Sequence, residues 1–186
     1  AEDLNALYTN YVFTVDPGDF TVRENENGLS VDADDVEKTY DGTAYGVTPV
    51  SVPDGAAILY KDADGDYTLT ESPTRTDVGT TTVDFKAVLY GYADAYGSAT
   101  VTILAKPVSI TVADDEKIYG NADPAFDDAV IGDYIGTELA GVALTVSRSD
   151  AGVDTLGLHA DVLVIGQTAE DLNALYTNYV FTVDPG

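Results

Sequence analysis

Carboxylates set one residue apart carry the most suggestive chemistry in this chain. Asp62, Asp64 and Asp66 alternate through Asp62-Ala63-Asp64-Gly65-Asp66-Tyr67. Alternating carboxylates around a glycine suit a hard cation such as calcium, which takes roughly six to eight oxygen ligands. The spacing is not that of an EF-hand: glycine stands fourth instead of sixth, and the twelfth position is Pro73 instead of glutamate. Two readings stay open. One is a calcium site with Asp62, Asp64 and Asp66 as candidate ligands; the other is a solvated turn, the commoner use of Asp and Gly. Asp32, Asp34, Asp35 and Glu37 form a further acidic cluster, as do Asp114, Asp115 and Glu116.

Other reactive side chains are sparse. His159 is the only histidine and there is no cysteine, which excludes a multi-histidine metal centre, thiolate zinc sites, thiol nucleophiles and disulfides. With no G-x-S-x-G context, a Ser-His-Asp triad has no support either. No catalytic constellation is present, and we read the chain as not an enzyme. Lys38, Lys117 and Gln167 are nominal partners for self-formed amide or ester cross-links, with nothing in their spacing to single them out. The pairs Arg75 with Asp77 and Arg148 with Asp150 sit in similar surroundings. A guanidinium fork satisfying turn carbonyls or a carboxylate explains that recurrence better than catalysis does.

The overall charge narrows the partners. Thirty-three acidic residues against eight basic ones give a net charge of −25, a surface that repels nucleic acid and anionic lipid. Neither is expected as a partner. The same charge keeps a molecule soluble and attracts cations. With 45% hydrophobic residues the chain can still build a core. No run approaches the roughly 20 apolar residues that span a bilayer, and AEDLNALYTN lacks the basic and apolar regions of a signal peptide. Direct membrane insertion is therefore not expected, and any export signal or anchor is expected outside this segment.

The elements that must hold these residues are strands. VDFKAVLY (83–90), SATVTILA (98–105), VSITVA (108–113), GVALTVS (141–147) and DVLVIG (161–166) are short, rich in Val, Ile, Thr and Tyr, and bounded by Gly, Asp or Pro. YVFTVDPGDFTV (11–22) reads as a β-hairpin turning at Asp16-Pro17-Gly18-Asp19. One short helix is expected over residues 169–175, with Thr168 as its N-cap and acidic residues in its first turn.

Internal repetition organises the whole. Residues 1–18 read AEDLNALYTNYVFTVDPG, and so do residues 169–186, so the chain holds one period of a tandem array plus an overlap. A weaker repeat lies inside that period. Asp34 to Gly42 resembles Asp114 to Gly120, with Lys38 and Lys117 separated by 79 residues, and TRTDVG (74–79) resembles SRSDAG (147–152). We expect an all-β fold, mostly β with a minor short helix, of two small tandem β-sandwich or β-grasp-like modules in an elongated arrangement. Residues 1–24 would be an overlap hairpin belonging to the preceding repeat. Residues 25–106 would form one module and 107–186 a second that lacks its closing strand. Tyr40-Asp41-Gly42 and Tyr119-Gly120 read as structural signatures, each burying a ring beside a glycine turn.

These residues carry a family resemblance. EKTYDGTAY with TRTDVG resembles the YDG-type repeat. EKIYGNADPAF, GTELAGVALTVSRSDAG and NYVFTVDPGDFTV together resemble the YGX-type MBG repeat. Both occur in large bacterial surface adhesins. The resemblance implies an extracellular or cell-surface, β-rich chain strung in tandem, and it transfers no catalytic residue. The expected function is a structural repeat unit of an extracellular fibre or adhesin stalk, its partners being neighbouring repeats joined by strand complementation. The alternative is an adhesive module, with calcium as a candidate stabiliser, in which Tyr45, Tyr90, Tyr92 and Tyr96 form a platform for a glycan or host-protein ligand. Tyrosines buried at module contacts would favour the stalk, and a contiguous exposed cluster beside a cleft would favour binding.

Overall fold

The computed structural model describes residues 2–186. Its elements run α1 (Glu2–Leu7), β1 (Ser30–Asp32), β2 (Val36–Thr39), β3 (Val50–Val52), β4 (Ala57–Lys61), β5 (Tyr67–Leu69), β6 (Gly79–Val88) and β7 (Ala95–Leu104). There follow β8 (Lys106–Thr111), β9 (Val130–Ile131), β10 (Val146–Arg148), β11 (Leu163–Ile165), α2 (Ala169–Leu175) and β12 (Tyr179–Asp184). The fold is all-β with two short helices. Among the described residues no helix is long and apolar enough to cross a membrane.

The largest sheet has five strands in the order β2-β7-β6-β4-β5. Its spine is the β6–β7 antiparallel pair, where period-two alternation sends Val83, Phe85 and Ala87 to the same buried side as Ala99, Val101 and Ile103. Burying each of the larger side chains contributes about 1.5–3 kcal/mol. Gly97 is required for close approach: a Cβ there would stand 2.5 Å from the Phe85 ring and 3.2 Å from the Val31 carbonyl. β1, paired antiparallel with β3, can therefore lie close over β7. β2 joins the far edge parallel to β7.

β7 ends at Leu104 and β8 begins at Lys106 in a different, three-stranded sheet ordered β12-β8-β9. Val108 and Ile110 of β8 pack with Tyr179, Phe181 and Leu172, all buried. α2 forms where Thr168 was expected to cap it: the Thr168 hydroxyl accepts from the Asp171 backbone N–H, and the Asp171 carboxylate accepts from the Thr168 N–H.

The expected hairpin over residues 11–22 does not form. Those residues carry no strand, and in the second copy β12 runs parallel to β8, from Tyr179 opposite Lys106 to Asp184 opposite Thr111. After β12, Asp184 accepts from the Val112 N–H, and Gly186 exchanges two backbone bonds with Leu163. A two-stranded hairpin alone is marginal in water, whereas the edge of β8 supplies a six-residue ladder. The strands expected over 141–147 and 161–166 shrink to β10 and β11, which pair antiparallel with each other.

Candidate functional site

Arg148, at the end of β10, is the centre of a charge network. Its Nε donates to Asp150 (2.7 Å), its Nη1 to Asp123 (2.9 Å) and its Nη2 to the Val153 carbonyl (2.7 Å). Lys117 bridges Asp123 (2.7 Å) and Asp154 (2.6 Å). His159 Nδ1 pairs with the other Asp150 oxygen, and its Nε2 lies 3.0 Å from the Thr155 carbonyl. The Arg148 hydrogen bond, then that of His159, hold the Asp150 carboxyl down to about 2. Asp150 in turn raises the imidazole of His159. Lys117, and after it Arg148, lower Asp123. A cleft of about 590 Å³ opens beside this network, between the loops around 114–126 and 153–163, and reaches Gly186. Every cation of the network is already paired with a carboxylate, so its chemistry is that of a clamp tying the 150–161 loop to β10.

In TRTDVG the same elements are wired differently. Arg75 donates to the Val78 carbonyl (2.6 Å) and the Thr81 hydroxyl (3.0 Å), while its buried Nε has no partner. Asp77 turns instead to Asn178, whose side-chain amide donates to it (2.9 Å) and whose Oδ1 accepts from the Val78 N–H (2.9 Å). Beside this contact, Glu138 accepts from two tyrosines: Tyr40 on one oxygen (2.6 Å) and Tyr179 on the other. The two rings meet edge to face at 5.6 Å. The hydrogen bond to Glu138, followed by burial, pushes the Tyr40 hydroxyl up to about 12. Residues of the 25–106 stretch thus lock onto residues of the 107–186 stretch.

The candidate calcium ligands sit in the β4–β5 turn. Asp62 Oδ1 accepts from the backbone N–H of Asp64 (3.0 Å) and of Asp66 (2.9 Å), and Oδ2 accepts from the Thr68 hydroxyl. These donors, Thr68 first, lower its carboxyl. Gly65 takes φ +96° to close the turn. The Asp62 oxygens are therefore engaged by the turn's own donors, while Asp64 and Asp66 are exposed. Among the described residues no group of three His, Asp or Glu side chains is placed to hold a metal ion.

The remaining expectations divide. Asp35 accepts from the Thr100 N–H (2.7 Å), tying the turn before β2 to β7. Lys38 lies 5.8 Å above the Tyr45 ring, and Gln167 is exposed. Tyr40 is buried as its signature implied, but Tyr119 is 69% exposed. The difference is the partner: Tyr179 and Glu138 cover Tyr40, whereas Tyr119 lies in a loop without strand neighbours. The four tyrosines of the expected platform differ in their surroundings. Tyr90 is fully exposed, Tyr96 packs edge-on against Tyr67 at 5.5 Å, Tyr92 is half-buried against Gly28, and Tyr45 donates to Asp41.

Asp123 and Glu138 lay inside the stretches EKIYGNADPAF and GTELAGVALTVSRSDAG, and Asp154 just beyond the latter, but as single acids in irregular loops none stood out from its neighbours. Asn178 did lie in the repeated stretch, as the counterpart of Asn10. Compared with models of protein families, with curated proteins and with solved structures, the chain finds no match.

Proposed function

We propose that this chain is a structural repeat unit of an extracellular fibre or adhesin stalk, two small β modules joined head to tail in a tandem array. The observation that carries the reading is the junction of Tyr40, Glu138 and Tyr179 with Asp77, Val78 and Asn178. It fastens the first half of the period to the second through aromatic packing and charge-assisted hydrogen bonds, as modules that contact chiefly their neighbours require.

Two further features support it. At the lag of 79 residues the antiparallel pair β1–β3 falls on the antiparallel pair β8–β9, one residue out of register: Val31 lies opposite Ser51, and its counterpart Ile110 lies opposite Ile131. Of the three buried tyrosines, Tyr40 and Tyr179 meet at the contact between the halves while Tyr60 lies within the first half against Phe85, and Tyr90 and Tyr96 are not gathered beside the cleft. The extracellular placement rests on the resemblance of EKTYDGTAY and EKIYGNADPAF to surface-adhesin repeats.

The test is to join one, two and three periods in a single chain and measure the maximum dimension by small-angle X-ray scattering. A constant increment per added period at unchanged cross-section is the expected result. Growth as a compact particle, with the cross-section widening, would overturn the stalk.

A further inference from the structure

The repeated stretch adopts one local structure in two environments. In the second copy, Asn173 Oδ1 accepts from the Phe181 N–H (2.7 Å); in the first, Asn5 Oδ1 accepts from the Phe13 N–H (2.6 Å). Tyr176 and Phe181 sit 6.1 Å apart at 66°, and Tyr8 and Phe13 sit 6.1 Å apart at 62°. Tyr179 with Phe181 (6.0 Å, 45°) is likewise matched by Tyr11 with Phe13 (6.2 Å, 43°). The backbone bonds Tyr176 to Leu172 and Tyr179 to Tyr176 recur as Tyr8 to Leu4 and Tyr11 to Tyr8. What differs is the cover. Leu172 is 2% exposed and Leu4 44%; Tyr179 is 3% exposed and Tyr11 67%.

We propose that residues 3–15 are a preformed donor segment whose partner is the β8 edge of a second copy of this chain. The occupant of that edge is visible in the structure, because residues 171–183 are the same residues and supply, from Tyr179 to Val183, five of the six positions of its parallel ladder. A donor from another copy finds the same seat. Leu4 takes the place of Leu172, Phe13 that of Phe181, and Tyr11 that of Tyr179 with its hydroxyl on the acceptor's Glu138. Asn10 replaces Asn178 between Asp77 and Val78. The latch of Asn5 on Phe13 and the stacked rings already hold the bound shape, which lowers the ordering cost of capture. Capture follows whenever the acceptor's own residues 169–186 leave the edge, and the acceptor keeps its own residues 3–15 for the edge of a further copy, so the contact propagates head to tail. The proposal rests on the tandem-array reading and specifies the joint by which separate copies could extend it.

The chain has no cysteine, so introduced thiols report the register directly. Thr14 corresponds to Thr182, which lies opposite Ser109. A full-length Thr14→Cys donor is mixed with a full-length acceptor carrying Ser109→Cys, Leu172→Asp and Phe181→Asp, and the disulfide-linked heterodimer is read by intact mass. The expected result is a shift of the acceptor into the heterodimer. That shift is lost when the donor also carries Phe13→Asp, or carries Val12→Cys in place of Thr14→Cys, since two residues out of register exceed disulfide reach. In case the aspartates unfold the acceptor, a second format warms the plain Ser109→Cys chain with the donor through melting and cools them together. Absence of the Thr14–Ser109 link in both formats, or equal yields from the Val12→Cys donor, would overturn the proposal. Neither outcome bears on whether covalently joined periods grow linearly, so the two readings fail separately.

Discussion

Asp150 serves two cations, Arg148 on one oxygen and His159 on the other, and this double use makes the clamp sensitive to pH at both ends. The Asp150 carboxyl is depressed from 3.8 to about 2. Its contribution to stability is therefore complete above 3.8 and is lost as pH falls through about 2. The His159 imidazole is raised from 6.5, so its contribution is complete below 6.5 and is lost as pH rises through the folded value. The clamp is strongest between these limits. Replacing His159 with Gln should lower the melting temperature at about pH 6 and should flatten its decline between about pH 6 and about pH 8 relative to the wild type. Parallel wild-type and variant melting curves across that range would refute the role given to His159. The arginines and their aspartates were legible as recurring turn chemistry. Their different wiring was not, because it depends on whether Asn178 or His159 lies within reach.

At the scale of elements, the two copies of AEDLNALYTNYVFTVDPG form an internal control. Asn173→Ala leaves the N–H of Phe181, a buried strand residue, without its acceptor, and should cost about 1–3 kcal/mol. Asn5→Ala breaks the same bond where Phe13 is only half-buried and water can replace it; its cost should stay within about 0.5 kcal/mol. Chemical denaturation of the two variants checks this, and equal losses would contradict the assigned environments. The helix and its Thr168 cap were readable because capping is local. The β-hairpin was misread because a strand's partner is not a local property: Pro17 and Gly18 permit a turn, but residues 11–22 form no strand, while the second copy of residues 11–16 becomes one against β8.

For the whole molecule, the junction at Glu138 decides whether the two halves behave as one body. Tyr40→Phe keeps the ring against Tyr179 and removes one hydroxyl donor to Glu138, which should cost about 1–2 kcal/mol. The Tyr40 hydroxyl is raised from 10.0 to about 12, so its contribution is complete below 10.0 and lost as pH rises through about 12. Denaturation at neutral and alkaline pH should therefore show a loss over that interval that is smaller in the phenylalanine variant. An unchanged alkaline loss would remove Tyr40 from the junction.

The residues alone determined the β class, the positions of the long strands, the capped helix and the recurrence of residues 1–18 at 169–186, because alternation, capping and repetition are written along the chain. Tertiary structure alone decided which edge the repeated stretch occupies, why Tyr40 is buried and Tyr119 is not, and that Glu138 gathers two tyrosines 98 and 41 residues away. Those outcomes depend on which surfaces meet across long sequence separations. It also placed Asp62 as the acceptor of its own turn, a use of a carboxylate that spacing alone does not distinguish from a ligand.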